Sequence, residues 1–209
     1  ADVKRRSTNF YHALYNWTVG MLPGIPKKKI QDRATLPLNH AAIVDKLFEV
    51  HGHEILVDGY FNGDPHPGNI LLMNQKKGTC PPLLGLIDYG QVKELSRADR
   101  LFLCRLTIAL ANDNRPEILR LMHASGFRSK NSDEDVMYKY CKIYFDQDGA
   151  SVTGGKHLQA FIEELERLDP VEHIPPQLIM VHRATILLRG LAHALFQTRS
   201  VANVWRPIA

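Results

Sequence analysis

From Ala41 to Val57 the apolar residues Ile43, Val44, Leu47, Phe48, Val50, Ile55 and Leu56 fall at roughly helical spacing, and Asn39 stands ahead of them as a candidate cap. The pattern predicts a helix that feeds the segment GYFNGDPHPGN. Two short apolar runs follow, Ile70 to Met73 and Leu83 to Ile87, separated by NQKKGTCPP, whose glycine and paired prolines suit a loop. They predict a small antiparallel pair. After Tyr89 and Gly90 the period changes. LSRADRLFLCRLTIALA, PEILRLMHASGF, DEDVMYKYCKIYF, KHLQAFIEELERL and PPQLIMVHRATILLRGLAHALF each carry an apolar face at helical period. Ser96 and Asp133 are candidate caps, Pro116 and Pro176 sit near a first turn, and Gly126 is a stop signal. The expected architecture is mainly α with a short β-hairpin, the second half being a helical bundle without internal repeats.

Composition narrows the class. With 209 residues, 44% of them hydrophobic, one sizeable core is expected. Lys and Arg number 26 against 22 Asp and Glu, a formal net charge of +4 with no long basic tract. The triplet Lys27 to Lys29 reads as solvated, and nucleic acid is not an expected partner. Cys80, Cys104 and Cys141 are odd in number and include no C-x-x-C, which points away from a disulfide framework or a zinc site and toward a reducing compartment. The stretch LFLCRLTIALA is interrupted by Arg105 and falls short of the ~20 apolar residues of a membrane span, so the chain reads as soluble. Its start, ADVKRRSTNFYHALYNW, lacks an initiator Met and a signal-peptide core and reads as a processed or truncated beginning.

Candidate chemistry gathers at GDPHPGN, Gly63 to Asn69. In an antiparallel pair the start of one strand lies beside the end of its partner, which brings Asn69 to the same mouth as Asp88. Asp64 belongs to the proline-stiffened loop over that mouth. Two carboxylates and a carboxamide oxygen, with no thiolate, favour Mg²⁺, which completes its shell with water and phosphate oxygens, so a nucleotide phosphate is the expected partner. The spacing Asp64-x-x-x-x-Asn69, followed by Asp88-Tyr89-Gly90, reproduces the catalytic-loop and D-F-G order of kinase-like enzymes. His66 is read as a loop histidine bonded to backbone, and His51 and His53, two apart on a helix, do not share a face. Arg189 and Trp205 read as packing residues of the bundle. The aromatics Phe10, Tyr11, Tyr15 and Trp17 read as a core-covering or disordered leader.

GYFNGDPHPGNILL and LLGLIDYGQV resemble the catalytic and metal-binding segments of the UbiB family of atypical kinases, also called ADCK kinases. IPPQLIMVHRATILLRGLAHAL with SVANVWRP is similar to that family's late helices and tail. NDNRPEILRLMHASGF is similar to its region after D-F-G, and LPGIPKKK, Leu22 to Lys29, resembles a remnant of its segment after the hinge. The resemblance implies a protein-kinase-like carboxy-terminal lobe over 22–209, with catalytic loop 60–69, metal-binding motif 88–90 and bundle 95–209. Residues 1–21 are left as a leader or linker. It implies Asp64 as the catalytic carboxylate, Asn69 and Asp88 as Mg²⁺ ligands, and Mg-ATP as cofactor. It also implies a setting in isoprenoid-quinone or lipid metabolism, a mitochondrial or plastid location, and a lipid or membrane surface among the partners. Two departures stand out. Asn62 occupies the position of the family's usual His, which questions the packing of the loop. No glycine- or alanine-rich nucleotide loop, K-x-G-Q segment or V-A-I-K-like lysine is found, so the amino-terminal lobe reads as largely missing, to be supplied or covered by a partner. A small-molecule phosphotransferase of the aminoglycoside or choline kinase kind and a non-catalytic pseudokinase lobe are the alternatives.

Overall fold

The structure is a computed structural model that describes residues 10–12, 15, 39–73 and 83–209. The chain divides into two compact units, 1–38 and 39–209. In the first, residues 10–12 and 15 are helical. The expectations for Leu22 to Lys29, Trp17, Cys80 and the loop between the two apolar runs lie outside the described residues.

In the second unit, Asn39 caps α1 (His40–His53) by accepting from the Ala42 amide at 3.1 Å, as its position ahead of the apolar pattern predicts. The helix then widens into a single π turn, Glu54–Asp58, stopped by Gly59 at φ 78°. A left-handed residue is needed at that stop, and glycine adopts it without a Cβ penalty. The chain reverses into β1 (Tyr60–Asn62), passes one 3₁₀ turn at Pro67–Asn69, and enters β2 (Ile70–Leu72). Then come β3 (Leu84–Leu86) and β4 (Val92–Glu94).

The predicted antiparallel pair is β2 with β3, Ile70 opposite Leu86 and Leu72 opposite Leu84. It is not alone among the described residues. β1 pairs antiparallel with β4, Tyr60 opposite Glu94 and Asn62 opposite Val92, and β5 (Arg128–Ser129) pairs with β6 (Val171–His173). Each of these strands is too short to show an alternating pattern, which corrects the expectation of a single hairpin.

The bundle follows as α2 (Arg97–Ala111), α3 (Arg115–Ser125), α4 (Glu134–Phe145), α5 (Ala150–Thr153), α6 (Leu158–Leu168), α7 (Pro176–Ala194) and α8 (Val201–Trp205). Ser96 and Asp99 form a reciprocal capping box on α2, Asp133 caps α4, and Gly126 closes α3 at φ 90°. Helix α8 packs on both α1 and α2, and α4 packs on α7. Phe48, Ile118, Met122, Tyr140 and Leu188 are buried in one continuous core. Trp205 is buried and donates its indole N–H to the Phe48 carbonyl at 2.8 Å, fastening the end of the chain to α1.

Three buried polar groups hold this bundle. Asp146 accepts from the Ser200 hydroxyl and the Ala202 amide, anchoring α8, and pairs with Lys142 at 3.3 Å. Asp169 accepts from Ser129 Oγ and from the amides of Asn131 and Asp133. Burial pushes its carboxyl up, but those three donors outweigh burial and hold it below the ordinary carboxylate range. Arg189 is buried and donates to the Ile143 carbonyl, with burial lowering its pKa against the charges of Asp148 and Asp146.

Candidate functional site

The loop from Gly63 to Asn69 is set by what surrounds Gly63. A Cβ there would lie 2.7 Å from Met180 Cε on α7 and 3.1 Å from the Gln91 carbonyl, while the Gly63 amide donates to that carbonyl at 3.0 Å. A side chain there would have to push the Met180 methyl aside and crowd the Gln91 carbonyl, so glycine suits the close passage. From there the loop winds through local hydrogen bonds. The His66 amide donates to the Asp64 carbonyl at 2.7 Å, and the Asn69 amide donates to the His66 carbonyl at 2.9 Å. His66 Nδ1 accepts from the Gly68 amide at 3.1 Å, which is the backbone-bonded role expected of it. The imidazole is therefore committed to the turn.

The mouth of the β2–β3 pair is where the sequence places it. Ile87 donates its amide to the Asn69 carbonyl at 3.0 Å, so Asn69 and Ile87 face each other one step beyond the ladder and Asp88 follows directly. Asp88 Oδ1 accepts from the Gly90 amide at 2.9 Å, which sets the carboxylate's direction. Asn62, Asp64, Asn69, Asp88, Gly90 and Gln91 line one cavity of about 270 Å³. The three residues singled out in the sequence thus share one cleft.

Three further residues shape the site. Asn62 is buried; its carboxamide donates to the Asp88 carbonyl at 2.6 Å and accepts from the Asp64 amide at 2.9 Å. The residue that departs from the family pattern is thus a two-sided tie between loop and D-Y-G segment, and a carboxamide supplies both the donor and the acceptor this needs. Gln91 donates to Asp64 Oδ2 at 3.3 Å, and Arg183 of α7 reaches Asp64 Oδ1 at 3.4 Å. Asn62 was visible in the sequence as a substitution. Gln91 carried the weak signal of following the D-Y-G motif directly, and Arg183 carried none, being one polar position among many on a long helix.

His51 and His53 do not line the cleft. His51 is buried, its Nδ1 paired with the Leu47 carbonyl at 2.8 Å, while His53 is exposed. Burial lowers the pKa of His51, opposed by the Glu54 charge and the bond to Leu47. Tyr89 reaches Glu54 Oε1 at 3.3 Å, which links the D-Y-G segment to the π turn. Burial, then the charge and hydrogen bond of Glu54, raise the Tyr89 pKa and keep it a neutral donor.

The family model of the ABC1 atypical kinase-like domain matches residues 17–122, half of the chain, including every residue that lines the cleft but not Arg183. The chain belongs to that family. Among curated proteins, the "Probable protein kinase UbiB" of Pasteurella multocida (strain Pm70) is 23% identical over 188 residues, covering 88% of this chain and 35% of the relative. The protein of the same name from Shewanella sp. (strain ANA-3) is 25% identical over 188 residues, covering 88% of this chain and 34% of its own length. The chain spans about a third of the length of these curated relatives. No solved structure matches it. Both relatives are bacterial, so they lend no support to the mitochondrial or plastid location that the resemblance suggested. Among the described residues no helix is long and apolar enough to cross a membrane. Membership in the ABC1 family gives the cleft a context: the loop, the D-Y-G motif, Asn62 and Gln91 lie inside the matched stretch, while Arg183 reaches them from beyond it.

Proposed function

We propose that this chain is the carboxy-terminal, Mg-ATP-binding lobe of a UbiB-type atypical kinase or ATPase, with Asp64 orienting or deprotonating the attacking group and Asn69 and Asp88 holding Mg²⁺. The observation that carries this reading is that Asp64 and Asn69 of one loop and Asp88 beyond the next strand pair line a single cleft at the mouth of that pair. The donor set fits the ion. The carboxylates of Asp64 and Asp88 and the carboxamide of Asn69 line the cleft, an oxygen-only donor set that suits Mg²⁺ held by one or two protein oxygens with waters and phosphates completing its shell. When bound, the ion supplies charge neutralisation between the phosphates. The chain's own residues do the rest: Asn62 keeps loop and D-Y-G in register, the Gly90 amide aims Asp88, and Asp64 faces the same space.

Such sites also use a lysine and a loop over the phosphates, neither of which the sequence shows, so phosphoryl transfer is proposed for the cleft acting with those parts. Isoprenoid-quinone and lipid metabolism is the setting carried over from the family resemblance. In the full-length protein, Asp88→Ala is expected to weaken Mg-ATP binding by roughly tenfold or more, while Asp64→Asn cuts turnover by roughly 100-fold with binding spared. Calorimetry and ATP turnover read the two separately. Equal loss of binding in both variants would overturn the assignment of roles.

A further inference from the structure

Asp64 is gripped on both carboxylate oxygens by side chains outside its own loop. Arg183 Nη2 stands 3.4 Å from Oδ1, and Gln91 Nε2 donates to Oδ2 at 3.3 Å. Arg183 Nη1 in turn donates to Gln91 Oε1 at 3.1 Å, closing a ring of three side chains. The ring joins the catalytic loop, the segment after D-Y-G and the middle of α7. One turn earlier on the same helical face, Met180 meets Gly63, so α7 touches the loop through two residues three apart. The segment from Asp64 to Asn69 contains no lysine or arginine, and the residues lining the cleft contain none either. Arg183 is the cation paired with Asp64, and its planar fork suits holding a carboxylate and a carboxamide together.

We infer that Arg183, acting through Gln91 as well as directly, is the positioning residue of Asp64, fixing the carboxylate's rotamer at the cleft. The inference rests on the reading of Asp64 given under the proposed function. The contacts at 3.3–3.4 Å are long for charged hydrogen bonds, as is common before a substrate tightens a site, and the Arg183 side chain keeps 45% of its surface exposed. The guanidinium thus holds Asp64 from the rim without filling the space in front of it.

The test uses the full-length protein and Mg-ATP. Asp64 is expected to show one χ1 rotamer by NMR couplings in the wild type and averaged rotamers in Arg183→Met, with Arg183→Lys recovering part of the order. In turnover, Arg183→Met is expected to lower kcat by roughly tenfold while the KM for Mg-ATP stays within about threefold. The double variant Asp64→Asn with Arg183→Met should be no slower than Asp64→Asn alone. Should Arg183→Met fail to fold, Gln91→Leu removes the bridging contact at an exposed position and is read in the same way. An unchanged Asp64 rotamer, or a fall in kcat that adds in full to that of Asp64→Asn, overturns the inference. Turnover indifferent to Asp64→Asn overturns the functional reading instead, and the rotamer measurement then decides the role of Arg183 by itself.

Discussion

The segment from Tyr60 to Glu94 and the helices behind it are held by different forces. Among the helices, Phe48, Ile118, Tyr140 and Leu188 are at most 1% exposed and pack into one core. Along the site segment the strands are three residues long, and Leu71, Leu72, Leu83, Ile87, Tyr89 and Val92 are each at least 44% exposed. What shapes the cleft is a set of directional hydrogen bonds, donated by Asn62 and Gln91 and accepted by Asp88 and His66, each worth about 1 kcal/mol net. Geometry specified by a few such bonds can be lost without unfolding the molecule. The core can be damaged without redirecting the cleft.

Phe48→Ala tests the stronger half of this contrast. Emptying a fully buried aromatic site is expected to cost about 3–5 kcal/mol, read as a lower urea midpoint at unchanged slope. Asp169→Ala comes next. It strands the Ser129 hydroxyl and the amides of Asn131 and Asp133 and should cost about 2–3 kcal/mol, whereas Asp169→Asn, which keeps an acceptor oxygen, should cost less. If Asp169→Ala is as mild as a surface change, the view that buried carboxylates pin the bundle's connections is wrong.

Acid should also weaken the bundle. Burial first, and the nearby Arg189 charge second, lower the His182 pKa from 6.5 to about 4. The folded state therefore holds this imidazole neutral while the unfolded chain takes up a proton below pH 6.5. Stability contributed in this way is complete above pH 6.5. It declines as pH falls toward about 4 and is then fully lost. Its size is on the order of 3 kcal/mol over that window. Urea unfolding at several pH values should show this slope, and His182→Gln should flatten it. A slope unchanged in that variant would assign the acid sensitivity to other groups.

The smallest stability changes are expected at the site. Asn62→Ala should cost only about 1–2 kcal/mol, because one buried carbonyl and one amide lose a partner, yet it should weaken Mg-ATP binding more than Phe48→Ala does at a temperature where both remain folded. Leu72→Ala, at an exposed strand position, should stay within about 0.5 kcal/mol of the wild type. A Leu72 effect rivalling that of Phe48 would mean that the strand pair is covered in solution.

Several elements were written into the chain as local signals. The caps at Asn39, Ser96 and Asp133 and the stop at Gly126 sit beside the residues they serve, so the sequence alone located these helix ends to within a few residues. Asp64, Asn69 and Asp88 were also legible, since their order and the intervening strand pair need only one hairpin to bring them together. The pairing of β1 with β4, the short helices α5 and α8, and the connections made by Asp146 and Asp169 were not legible. These segments are too brief to show a period, or their partners lie dozens of residues away.

The sequence by itself therefore determined where the long helices lie and which three side chains gather at the strand mouth, because hydrogen-bonding periods and turn chemistry act over a few residues. Tertiary structure decided what holds those side chains in place. Asn62 could be seen as a substitution, but only the fold shows it bridging Asp64 and Asp88, and only the docking of α7 against Gly63 brings Arg183 to Asp64. A polar residue's hydrogen-bond partner is chosen by where the backbone ends up, and no local pattern encodes that choice.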